Sequence, residues 1–81
     1  MTIKPFELQI ITMKNSYNID IFPHTTILDI KKSIELITSI PVYFQRISLN
    51  FDGEELSDNI NGNYLESESG GDCYLDLKFL Y

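Results

Sequence analysis

The sequence predicts an α+β domain in which a mixed sheet of four to five strands is crossed on one side by one helix at about residues 26–38. Three patterns carry this prediction. Residues 6–21 alternate apolar and polar side chains on both sides of a polar turn. Residues 26–37 repeat isoleucine at helical spacing behind a threonine, and residues 73–79 return to strict alternation.

The elements follow in order. Phe6, Leu8 and Ile10 alternate with Glu7 and Gln9, a turn is expected at Lys14-Asn15-Ser16, and Tyr17, Ile19 and Ile21 then alternate with Asn18 and Asp20. This is the pattern of a hairpin with one buried face. Pro23 ends the second strand, and Thr26 with Asp29 three residues later gives a capping-box-like start, the Thr26 oxygen being free to accept a backbone N–H of the first turn. The helix that starts there places Ile27, Ile30, Ile34 and Ile37 on one stripe, with Lys31, Lys32 and Glu35 pointing away and Leu28 and Leu36 off the stripe, either as tolerated surface apolars or as part of a contact site. Pro41 cannot continue a helix and drives Ile40 extended, so a strand is expected from about Phe44 with Ile47, Leu49 and Phe51 inward and Ser48 and Asn50 outward. Asp52-Gly53 is a tight-turn dipeptide leading to a short strand that ends at Leu56. Residues 57–72 read as a polar loop with one short helical turn, punctuated by Asn61-Gly62 and Gly70-Gly71 and anchored by Ile60, Tyr64 and Leu65. The last strand sets Cys73, Leu75, Leu77 and Phe79 inward and Tyr74, Asp76, Lys78 and Leu80 outward, and it leaves no flexible tail before Tyr81.

Eighty-one residues make a single domain, residues 1–81, in which nearly every strong apolar position must face inward to offset chain entropy. The 43% apolar and 22% charged composition is that of a folded chain, expected to be a monomer. No run of large apolar residues is longer than that of Val42-Tyr43-Phe44, which excludes a membrane span and a secretory leader and points to the cytoplasm or nucleus. The net charge of −6 is concentrated in residues 47–77, where Asp52, Glu54, Glu55, Asp58, Glu66, Glu68, Asp72 and Asp76 meet no Lys or Arg. Such a surface repels nucleic acid and suits either simple solubility or a partner with a basic face.

Catalysis, metals and cofactors find no support in the residues. Cys73 is the only cysteine, lies on an inward row beside acids, and has only the turn residue His24 as a candidate base. Asp72 and Asp76 form no enclosed acid–base pair, and Gly70-Gly71 lacks the lysine, serine and following helix of a phosphate loop.

The succession Ile40-Pro41, Gln45-Arg46-Ile47-Ser48-Leu49 and Gly53-Glu54-Glu55-Leu56 resembles ubiquitin and its relatives, as does the upstream Pro23-His24-Thr25-Thr26-Ile27 with Ile30, Lys31 and Ile34. The resemblance spans most of the chain and implies a β-grasp fold. Departures from the family pattern bear on function more than the matches do. Conjugated family members use a free tail ending in two glycines, and Lys78-Phe79-Leu80-Tyr81 is no such tail; cutting at Gly70-Gly71 would remove the last strand. The family's apolar recognition patch has an isoleucine on the third strand and a valine on the last, where Ser48 or Asn50 and Lys78 or Asp76 stand in this chain. The family's chain-building lysines are matched by Glu54 and the Glu66–Glu68 region, with only Lys31 at a lysine position, and the loop at 57–72 is longer and more acidic. The resemblance therefore implies a non-enzymatic interaction module, an adaptor or built-in domain that is not conjugated as it stands. The alternative is a modifier or sulfur carrier processed to a glycine terminus. The expected protein-binding residues are Ile11, Phe22, Ser48, Asn50, Tyr74, Asp76, Lys78 and Leu80 on the sheet, with Tyr43 and Phe44 beside it.

Overall fold

A computed structural model describes residues 5–50 and 53–77. Strands β1 (Phe6–Ile11) and β2 (Ser16–Ile21) form the opening hairpin, helix α1 (Ile27–Thr38) crosses the sheet, and a 3₁₀ turn (Val42–Phe44) leads into strand β3 (Gln45–Ser48). Helix α2 (Gly62–Glu68) and strand β4 (Asp72–Leu77) follow. The sheet order is β2-β1-β4-β3, with β1 and β4 parallel and both outer pairs antiparallel, so it is mixed as expected and β4 lies in its interior.

The hairpin turn sits one to two residues earlier than the polar run Lys14-Asn15-Ser16 indicates. Thr12 closes it: its backbone N–H donates to the Asn15 carbonyl at 2.8 Å, and its Oγ1 accepts the N–H groups of Lys14 and Asn15. Ser16 already belongs to β2 and pairs with Ile11. The helix start follows the expected capping box, Thr26 Oγ1 accepting the Asp29 N–H at 3.2 Å and Asp29 Oδ2 accepting the Thr26 N–H at 3.1 Å. The Thr26 backbone N–H donated to the carboxylate, with the Thr26 hydroxyl as a lesser cause, lowers the Asp29 carboxyl below its ordinary pKa. The remaining free N–H groups of the first turn are met from the 57–72 segment, Ile27 donating to Ile60 O at 2.9 Å and Leu28 to Asp58 O at 3.1 Å.

Ile27, Ile30 and Ile34 are buried with Leu8, Ile10, Ile21, Ile47, Leu65, Cys73 and Leu75 in one core. Ile37 departs from the expected stripe and is 54% exposed, in the last turn of the helix, which ends at the left-handed Ser39, whose N–H bonds Glu35 O. Lys31, expected to face away, is only 3% exposed; its Nζ pairs with Asp58 at 2.8 Å and Glu55 at 3.4 Å. A buried ammonium is tolerated only with such partners, and both carboxylates reach it from the segment that wraps the helix. This lysine is therefore withdrawn from the exposed side of α1.

Two further expectations change. No strand is assigned up to Leu56 among the described residues; only its N–H joins the sheet, donating to Ile47 O at 2.8 Å. The 57–72 segment holds a seven-residue helix rather than a single turn. Asn61, read as a turn residue, is its N-cap and accepts the Tyr64 N–H at 3.2 Å, while Leu65 is buried and Tyr64 is exposed. The Gly53 N–H bonds Asn50 O at 2.9 Å; the expected turn residue Asp52, and with it Phe51 and Phe79, lie outside the described residues.

Candidate functional site

The sheet has one face against α1 and a second face turned outward, and strand register decides what stands on that outer face. Alternation sends Glu7, Gln9 and Ile11 outward from β1, Ser16, Asn18 and Asp20 from β2, Asp72, Tyr74 and Asp76 from β4, and Arg46 and Ser48 from β3. One row across the sheet therefore reads Ser16, Ile11, Tyr74, Ser48, each paired with the next. On one side of it Arg46 stands opposite Asp76; on the other are Gln9, Asn18 and Asp72, then Glu7 opposite Asp20.

Ile11, Ser48, Tyr74 and Asp76 meet around a shallow cleft of about 60 Å³, whose other walls come from Thr12, Met13, Arg46 and Leu75. The structure thus brings together four of the expected contact residues. Ser48 lies on the predicted face but is only 2% exposed, because the chain bends directly after it and its Oγ donates to Asn50 O at 2.8 Å. A partner cannot use Ser48 as its main handle; the half-exposed Tyr74 ring is the larger surface. β3 ends at Ser48, so of the two candidates for the family's third-strand position, Ser48 is the one on the strand and Asn50 lies in the bend beyond it. Of the candidates for the last-strand position, Asp76 is in β4; Lys78 and Leu80 lie outside the described residues.

The other expected residues stand on separate elements. Phe22 is in the turn from β2 to α1, stacked on exposed His24 at 5.9 Å. Tyr43 and Phe44 form a tilted pair 4.5 Å apart in the 3₁₀ turn, with Tyr43 65% exposed. Sequence reasoning missed Arg46, whose guanidinium is held by the Gly53 carbonyl, and Met13, an exposed rim residue of the cleft. Met13 also borders a larger apolar groove of about 530 Å³ between the hairpin turn and the end of α1, with Tyr17, Ile40 and Leu75. Glu7 and Asp20 were visible as outward residues, but their opposition depends on a register set by the Thr12 turn.

Among the described residues no group of three or more His, Cys, Asp or Glu is placed to hold a metal ion. Cys73 is in the core, and burial, with Asp72 as a lesser cause, pushes its thiol up to about 11. A raised thiol pKa means that the unfolded chain loses its proton first. The contribution of Cys73 to stability should then be constant below about pH 9, the unfolded value, and decline from there to about 11. Denaturation of the wild type and Cys73→Ala across that range checks this: the wild type should lose more stability with rising pH than the variant. Equal slopes would rule it out.

No family model matches the chain, and no curated protein matches it in sequence. Solved structures do. An ubiquitin from Caldiarchaeum subterraneum superposes with a TM-score of 0.76 at 14% identity, covering 94% of this chain and 96% of that one. The UBL domain of Plasmodium falciparum Dsk2 gives a TM-score of 0.73 at 25% identity, covering 91% and 99%. The ubiquitin-like domain of Arabidopsis thaliana At2g32350 gives 0.76 at 15% identity, covering 98% and 83%.

Proposed function

From the premise that the chain is a ubiquitin-like β-grasp domain, we propose that it is a non-catalytic protein-interaction module, an adaptor or built-in domain of the cytoplasm or nucleus, that binds another protein through its outer sheet face and is not conjugated. One observation carries the reading: Ile11, Tyr74 and Asp76 converge with Arg46 on a face that no element of the described structure covers. An aromatic ring framed by charges suits a partner different from one built to receive an aliphatic patch, since a pocket shaped for an aliphatic chain would strip water from both Arg46 and Asp76.

Conjugation is disfavoured by how the internal glycines are used. Gly70 and Gly71 turn the chain into β4 with φ of +65° and +104°, and the Gly71 carbonyl accepts the Gln9 N–H at 2.8 Å. A pair so placed is part of the sheet rather than an extended end. The second reading, a modifier or sulfur carrier, requires processing to a glycine terminus.

Affinity capture with the wild-type domain and with Tyr74→Ala tests the module, and the intact mass of the protein from its own cell tests the alternative. The expected outcome is a defined partner retained by the wild type and reduced about tenfold or more by Tyr74→Ala, as for an interface anchor. A mass truncated at Gly71, or increased by a second protein on a lysine, would overturn the module in favour of the modifier.

A further inference from the structure

Glu7 and Asp20 stand directly opposite each other on β1 and β2, both exposed, with Asp72 beside Gln9 in the adjoining row. Like charges in directly opposed positions of an antiparallel pair destabilise a hairpin, and neither carboxylate has a cation partner among the described residues. Four residues along β1 from Glu7, a distance of about 13 Å, Ile11 pairs with Tyr74 and gives the face its apolar centre. The face is thus graded, acidic at one end and aromatic and aliphatic at the middle, and no element of the described residues covers it.

We propose that this sheet face docks a lysine- or arginine-bearing segment of a partner protein, with an apolar side chain against Ile11 and Tyr74 and a cation seated between Glu7 and Asp20. The inference rests on the interaction-module reading and assigns the basic partner to the sheet rather than to the acidic 57–72 segment. A cation between the two carboxylates converts a repulsion in the free domain into two attractions in the complex. Stability of the free domain and affinity for the partner should therefore respond in opposite directions to the loss of this pair.

The test uses a short synthetic peptide that repeats lysine and leucine at four-residue spacing with serine between them, titrated into the ¹⁵N-labelled domain at low and physiological salt. Two variants of equal net charge are compared, Glu7→Gln with Asp20→Asn, and Glu54→Gln with Glu66→Gln, the latter pair exposed on other elements. The sheet variant should melt about 2–4 °C higher than wild type and bind the peptide about fivefold or more weakly at low salt. The control variant should keep most of the affinity, and the amide shifts should cluster at Glu7, Asp20 and Tyr74. Equal weakening by both variants would mean that affinity follows net charge alone and would overturn the proposal, as would shifts confined to residues 57–69 or no binding by the wild type. Because the peptide replaces the native partner, such a failure leaves the module reading to the Tyr74→Ala experiment.

Discussion

A chain ended at Gly71 is expected to be unfolded. β4 lies between β1 and β3, so its loss removes the parallel ladder from Gln9–Ile11 and the antiparallel ladder from Gln45–Ser48 together. Within the described sheet β3 pairs only with β4, so it loses its sole strand neighbour. The core loses Cys73 and Leu75, about 1.5–3 kcal/mol for the leucine alone, and the surfaces they covered are opened to water. What remains is a two-stranded hairpin beside a helix, and an isolated hairpin is at best marginal in water. Since a domain of this size has roughly 5–15 kcal/mol of stability at most, the truncated chain should show collapsed amide-proton dispersion and lose its cooperative thermal transition. A dispersed spectrum from the truncated chain would remove this argument, and with it the main physical objection to a glycine-ended modifier.

Gly62→Ala is expected to be the most damaging single methyl addition at a glycine. Alanine is about 1 kcal/mol better than glycine inside a helix, so propensity alone gives this substitution the opposite sign. Packing decides otherwise: a Cβ at Gly62 would lie 2.0 Å from the Phe22 carbonyl oxygen, 2.9 Å from its carbon and 3.2 Å from the Pro23 Cα. All three atoms are backbone, so no side chain can move aside. Relief requires α2 to part from the β2–α1 turn, at the expense of the Asn63 N–H bond to Pro23 O and of the bridge between Thr26 and Asn61. The expected cost is about 3 kcal/mol or more, which lowers Tm by at least about 12 °C for a domain of this size. Gly70→Ala supplies the comparison, since its Cβ would meet nothing within 4 Å and only the φ of +65° opposes it, a cost of about 1 kcal/mol. If the two variants melt together, the close approach at Gly62 is not a feature of the folded protein.

Much of this fold is written in short stretches of chain. Thr26 and Asp29 cap α1 through bonds that span three residues, Pro41 bars α1 from continuing past Ser39, and alternation separates Leu8 and Ile10 from Glu7 and Gln9. Such signals act between neighbours, and a reader of the sequence has all the participants at hand. The same holds for the acidic charge of residues 47–77 and for the Gly70-Gly71 turn.

Other features needed distant partners. Lys31 reads as outward because it is a charged residue off the isoleucine stripe; its burial depends on Glu55 and Asp58, which are 24 and 27 residues away. Ile37 reads as core by spacing, but it is exposed in the last turn of α1, and which turns are covered is a matter of packing. Ser48 alternates outward yet is covered because of the bend beyond it. The hairpin register turned on Thr12, whose hydroxyl closes the turn ahead of the polar run. By itself the sequence determined the opening hairpin, the capped start of α1 and the alternation of β1, β2 and β4, since those follow from local sterics and hydrogen bonding. Only the tertiary structure decided that β4 is interior, that Ile11, Tyr74 and Ser48 form one row, and that Glu7 faces Asp20. Register and strand order are set by the joint burial of the whole core, and no local stretch of chain contains that information.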